Sequence, residues 1–327
     1  MQDWKRADMH LHTIHSGWRR LRWIGARDSY MTPEIAFAAA RRRGMDFVCF
    51  TDHESIDGAL EFLSLHPEEE ERVIVGEEIE VMLPGASRWL HLGVYGIDES
   101  IHADLKRAGT DLFDTVDYLR ESGLLFALNH PFQSFRSIRS ARRHLKEILP
   151  HFSVVEVCNS SSPRVHRRAV EALVAQSGAR SCAGLGGSDA HTPGRVAAAF
   201  TLAPGATKDD FLNSIRRGEC AIGGEALGFP QLLADIYRVI FQYYVSLYGP
   251  ARSGADRHRV EHYLGSLLLL PGVILGVPTL LAALHVARQE WIARLGAWKH
   301  DAPTRAEMPL ADGPAASVEV RVTRGRR

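Results

Sequence analysis

His10 and His12 stand at i and i+2 in the run Asp8-Met9-His10-Leu11-His12-Thr13. On an extended strand both side chains leave the same face, so one strand end can offer two imidazoles to one metal ion. In a chain with 16 histidines such a pair is also an ordinary solvated edge, and it needs company. Asp28, His53, Glu78, His91, His130, Asp189 and His191 supply it, most of them at the ends of short apolar runs. Mixed imidazole and carboxylate donors suit zinc, manganese or iron better than calcium, which takes oxygen alone. The set is too large for one tetrahedral ion. Two or three divalent ions are therefore expected, with a carboxylate bridging a pair.

Strands and helices must alternate to bring these residues together. Residues 7–12 read as the first strand, and Thr32-Pro33-Glu34 opens a helix with a capping threonine and a first-turn proline. That helix stops at Gly44. Apolar strands follow at 46–51, 73–75 (continuing through 79–83), 89–97, 124–128, 153–157 and 197–202, with 181–184 leading into Gly186-Gly187-Ser188-Asp189-Ala190-His191. Helices are expected from about 55 to 65, then at 112–121, 142–149, 164–176 and 207–217. Strand–helix alternation means a mostly parallel sheet, and the ligand-type residues fall at strand C-terminal ends, where barrel enzymes place their chemistry.

Length and composition set the frame. With 327 residues there is mass for a large core, and 45% hydrophobic against 24% charged residues is a globular composition. Lys plus Arg balance Asp plus Glu at 39 each, which argues against a nucleic-acid binder steered by net charge. Cys49, Cys158, Cys182 and Cys220 lack paired metal spacing and read as free thiols of a reducing compartment. A charged, motif-bearing segment stands where a secretory signal would, so a cytoplasmic catalytic domain is expected.

Taken in order, the motifs resemble the polymerase and histidinol phosphatase (PHP) family of metal-dependent phosphoesterases. The matching runs are Asp8-Met9-His10-Leu11-His12-Thr13, Thr51-Asp52-His53, Gly76-Glu77-Glu78, His91 in His-Leu-Gly-Val-Tyr-Gly, Asn129-His130-Pro131-Phe132, Val155-Glu156-Val157-Cys158-Asn159 and Gly187-Ser188-Asp189-Ala190-His191. The resemblance implies an α/β fold, a distorted (β/α)7 barrel, with a binuclear or trinuclear site at the strand C-terminal ends. It implies that His10, His12 and Asp189 hold a first ion with bridging Glu78. His91 and His130 would complete a second, and Asp28, His53 and His191 a third. The family's usual acidic residue just after the first-loop serine is missing, because Gly17 follows Ser16. Asp28 lies across an insertion and His15 is its competitor, while Glu77 is the neighbour that competes with Glu78.

The activity implied is hydrolysis of a phosphate ester by a metal-bound hydroxide, with His53 or His191 assisting proton transfer where it is not fully committed to metal. Arg19, Arg20, Arg22, Arg136, Arg164 and above all Arg195 are candidates to clamp phosphate. The substrate would be a phosphorylated small molecule, a nucleotide or a nucleic-acid end. Two alternatives stay open: an amidohydrolase-like metal-dependent hydrolase, and a membrane-attached non-catalytic regulatory protein.

The barrel is expected to occupy residues 1–225, a helical, partly very apolar appendage 226–300, and a poorly ordered tail 301–327. Within the appendage, Leu264 to Leu284 carries no charge and is long enough to enter a bilayer, although Pro271 and Pro278 interrupt it. Contact with the inner face of the cell membrane through 264–284 is the expectation, against a helical hairpin packed in a soluble domain. On this reading the appendage attaches the protein and supplies none of the chemistry.

Overall fold

The computed structural model describes residues 4–17, 23–85, 88–135, 137–176, 182–226, 228–249 and 260–295. The barrel strands are β1 (Trp4–Asp8), β2 (Phe47–Phe50), β3 (Val73–Leu83), β4 (Arg88–Tyr95), β5 (Leu125–Leu128), β6 (Val154–Asn159) and β7 (Ala183–Gly187). They lie side by side in chain order, and β8 (Ala199–Pro204) and β9 (Ala221–Gly224) extend the sheet beyond β1. Pairing is parallel for β1–β2, β2–β3, β5–β6 and β6–β7, and antiparallel on both sides of β4. The result is the expected distorted barrel, alternating with helices and nearly closed.

Closure is made just past the strand ends. Asp189 N donates to His10 O at 2.7 Å and His12 N to Ala190 O at 3.0 Å, so the chain after β7 pairs with the chain after β1. Gly187 permits it: a Cβ there would stand 2.4 Å from the Cβ of His10. A similar extension joins β2 to β3, where Glu78 N donates to Asp52 O and Glu54 N to Glu78 O. These ladders beyond the regular strands bring the motifs to one end of the barrel.

The helices around it are α1 (Pro33–Arg42), α2 (Asp57–Leu65), α3 (Glu99–Ala108), α4 (Leu112–Glu121), α5 (Ile138–Ile148), α6 (Val165–Gln176) and α7 (Lys208–Arg216). Thr32 caps α1 as expected and Thr207 with Asp210 forms a capping box on α7. Two differences from the sequence reading have local causes. Helix α3, absent from that reading, is capped by Asp98 but buries only Leu105, so its apolar stripe is too thin to see. Helix α5 starts four residues before 142, because the Ser137 side chain accepts from Ser140 N.

The boundary drawn at residue 225 falls between β9 and α8 (Phe229–Tyr248), which is followed by α9 (Val260–Ile274) and α10 (Val277–Leu295). Pro278 does not break a helix; it sits in the first turn of α10, where a missing N–H is tolerated. Pro271 lies inside α9. Ile292 and Ala293 of α10 belong to the large core that contains Phe132, Phe135 and Ile148. Among the described residues no single helix is long and apolar enough to cross a membrane; α9 and α10 pass that test only together, bent by 69°. The tail from 296, including 301–327, lies outside the described residues.

Candidate metal centre

Glu78 is the hub. It follows Glu77 on β3, and successive strand residues face opposite sides, so only one of the two can enter the site. Glu78 does. Its Oε2 faces His10 Nε2 at 3.2 Å, His12 Nε2 at 3.4 Å and His53 Nδ1 at 3.3 Å. Its Oε1 faces His130 Nε2 at 3.0 Å and His91 Nδ1 at 3.3 Å, and accepts from Asn129 Nδ2 at 2.9 Å. The two oxygens thus serve two separate sets of imidazoles, which is how a bridging carboxylate stands between two ions.

Asp189 Oδ1 lies 3.3 Å from His12 Nε2 and 3.7 Å from both His10 Nε2 and His191 Nδ1. Asp28 Oδ2 is 3.8 Å from His53 Nε2 and 3.8 Å from His191 Nε2. Among the described residues four groupings have ligand atoms within 4.8 Å of one another: His10–Glu78–His130, His10–His12–Asp189, His12–Asp28–His53 and His53–Glu78–His91. Shared members make this one multinuclear cluster. The insertion therefore returns Asp28 to the site, with Ser16 Oγ donating to its Oδ2 at 2.8 Å. His15 instead pairs with Glu61 at 3.0 Å.

The donors fit divalent metal. His10 Nδ1 meets Glu156 Oε1 at 2.9 Å, so a neutral His10 that donates there points the lone pair of Nε2 at Glu78 and at His12 Nε2, only 3.1 Å away. Such an arrangement needs a cation between the groups. Buried Asp28 Oδ1, His91 Nδ1 and His130 Nδ1 also lack hydrogen-bond partners. Burial would push the Glu78 carboxyl up, but His10, His53 and His91 hold it well below its ordinary range; Asp189 is held low by His10 and His12. His53 is pushed down to about 3, first by burial, and stays neutral. Against burial, Glu78 raises His91 to about 10, and Glu78 and Glu156 raise His10 well above its ordinary value. A metal ion entering the site would displace the proton that His91 holds.

Several residues that hold the ligands were not among the sequence candidates. Glu156 anchors His10 and also accepts from His130 N at 2.8 Å and Asn159 Nδ2 at 3.0 Å. Buried Asp8 accepts from Ser188 N at 2.8 Å and Ala197 N at 2.7 Å, fixing the turn that carries Asp189. Both stand inside the quoted motifs, and that was their only signal. Asp189 (φ +52°) and His130 (φ +25°) occupy the left-handed region, strained backbone that these bonds maintain.

The arginines fare differently. Arg195 is buried beside the site but engaged: Nη1 pairs with Asp235 at 3.2 Å and Nη2 donates to Ser160 O at 2.7 Å. Arg164 is largely exposed, 3.7 Å from Glu225. Arg19, Arg20, Arg22 and Arg136 lie outside the described residues.

A family model described as PHP-associated matches residues 176–220. An uncharacterised protein of Methanocaldococcus jannaschii is 27% identical over 127 residues, 39% of this chain and 68% of that protein. Among solved structures, PsfC from Pseudomonas syringae aligns with a TM-score of 0.49 and 20% identity over 73% of this chain and 99% of its own. A two-domain protein from Bacteroides vulgatus, described as containing a predicted PHP-like metal-dependent phosphoesterase, aligns with a TM-score of 0.47 and 16% identity over 72% of this chain and 70% of its own. The PHP-associated match spans the Ser188-Asp189-Ala190-His191 run, one of the collinear motifs gathered around Glu78.

Proposed function

We propose that this protein is a metal-dependent phosphoesterase whose substrate is a phosphorylated small molecule or nucleotide. The carrying observation is the division of Glu78 between two imidazole sets, which suits a bridged pair of ions. His10, His12 and Asp189 would hold one ion, His91 and His130 a second, and Asp28, His53 and His191 a third. Divalent ions bound there would neutralise charge on a phosphoryl group and make water a nucleophile at neutral pH. Zinc, manganese and iron all suit the donor set.

The chain's own contribution is orientation and proton handling. Glu156 fixes the His10 ring, and Asn129 fixes the Glu78 carboxylate. His191 is the most open of the site imidazoles, its side chain 28% exposed against 12% for His53. With only the first two ions bound, its Nε2 is the atom we assign to pass a proton to the leaving oxygen, a role it gives up if it binds the third ion. Zinc-loaded protein should release phosphate from phosphomonoesters, with a bis-aryl phosphodiester as the comparison. His10→Ala and Asp189→Ala should each lower the rate on the order of 10²–10⁴-fold. Near-normal rates in both variants at limiting metal would remove the reading.

A lipid surface is proposed as the partner of α9 and α10. Leu267, Leu268, Ile274, Leu275, Leu280 and Leu281 are exposed by 56–81% along a stretch without a charge. Exposed Trp23 lies against α9 at Gly265, and exposed Trp291 is on α10, amphipathic rings of the kind that settle at a membrane interface.

A further inference from the structure

Asp28 and His191 stand on the two loops that cover the outer side of the cluster, and both loops are gripped by the C-terminal helices. Asp235 of α8 is 8% exposed. Its Oδ1 accepts from Thr192 Oγ1 at 2.8 Å and meets exposed Arg238 Nη1 at 3.2 Å, while its Oδ2 pairs with Arg195. Arg195 carries the connection inward, its Nη2 donating to Ser161 Oγ at 3.1 Å. Ser161 Oγ in turn donates to Asp189 O at 3.1 Å. His191 lies between the residues so tied. With Asp189 and Ala197 both at positive φ, the loop is strained at either end and depends on such ties.

The insertion that carries Asp28 is held from the other side. Ile24 is buried in a small core with Tyr243 and Leu247 of α8, and Tyr243 Oη donates to Ile24 O at 3.1 Å. Helix α9 presses on the same residue through Gly265, where a Cβ would stand 2.4 Å from Ile24 Cγ2. The core also takes in Tyr30, two residues past Asp28.

We infer that α8 and α9 are the scaffold of the outer ion's ligands, so that the chain beyond residue 225 is a working part of the metal centre. This rests on the metal reading above and departs from the expectation of an appendage that supplies none of the chemistry. Asp235 is a positioning residue: it acts through Thr192 and Arg195 on the loop that carries His191. Arg195, on this assignment, serves the loop rather than the phosphate.

The test uses the full chain, dialysed against defined free Zn²⁺ and analysed for zinc per protein. Asp235→Asn keeps the side chain's shape and removes the charge; Gly265→Leu pushes on Ile24 from the independent side. Each should weaken the outermost ion by about 10–100-fold, as expected for lost outer-shell support, and leave the others bound. Higher zinc should restore full occupancy, which an unfolded variant would not show. Wild-type zinc binding in both variants overturns the inference. So does an equal loss of every ion, or a loss that added zinc does not restore. A wild-type chain that binds no zinc would bring down the metal reading itself, a different and distinguishable failure.

Discussion

Two adjacent glutamates divide the work at β3. Glu78 is anionic among imidazoles, whereas Glu77 faces away, 1% exposed, with Oε2 2.8 Å from His102 Nδ1. Burial, and then Glu54, raise Glu77 to about 8. A group whose folded value lies above its ordinary 4.5 holds its proton longer in the folded state than in the unfolded one. Its stabilising protonation is complete at low pH and is lost as pH climbs towards 8, at about 1.4 kcal/mol per unit. Glu77→Gln should therefore flatten the decline in metal-free stability over that window while metal content stays whole. Glu78→Gln should instead weaken at least two ions, by 100-fold or more at roughly the upper end for a lost support and beyond. Chemical denaturation at several pH values, paired with zinc analysis, reads both variants. The opposite pattern would mean that Glu77 is the bridge.

At the scale of elements, the site depends on loops clamped by helices rather than on strands alone. The segment from His15 to Asp28 returns to the cluster because Ser16 Oγ holds Asp28 and Tyr243 holds Ile24. Arg27 assists, its Nη1 donating to Ile14 O at 2.6 Å. Asp28→Asn should lower zinc content by about one ion with the fold intact, since the His12–Asp28–His53 grouping loses its carboxylate charge. His15→Ala should leave the ion count unchanged, because His15 is turned to Glu61. If the loss follows His15→Ala instead, the insertion is arranged differently around the bound metal.

For the whole molecule, the exposed apolar face of α9 and α10 is the unusual surface. Burying a leucine side chain contributes about 1.5–3 kcal/mol, so a handful of them suffices to hold the protein on a bilayer. The full chain should co-float with phosphatidylcholine vesicles. Leu268→Glu combined with Leu275→Glu, at positions 77% and 81% exposed, should abolish flotation without changing zinc content. A wild-type chain that stays behind in the gradient would remove the lipid surface. A dimer dissolved by the same substitutions would give the face to a second copy.

The sequence by itself named the candidate ligands and their order along the chain. His10 with His12, or Ser188-Asp189-Ala190-His191, keeps its meaning because period-two strands and tight turns impose local geometry. The barrel was legible for the same reason, from apolar runs alternating with capped helices. Only the tertiary structure decided which residues hold the ligands. Glu156 reaches His10 across 146 positions and Asp8 reaches Ser188 across 180, distances over which spacing carries no signal. It also showed Arg195 engaged by Asp235, from a helix whose sequence reads only as amphipathic. A buried charge must be paired, but the chain does not announce its partner; packing of α8 against the barrel chose it.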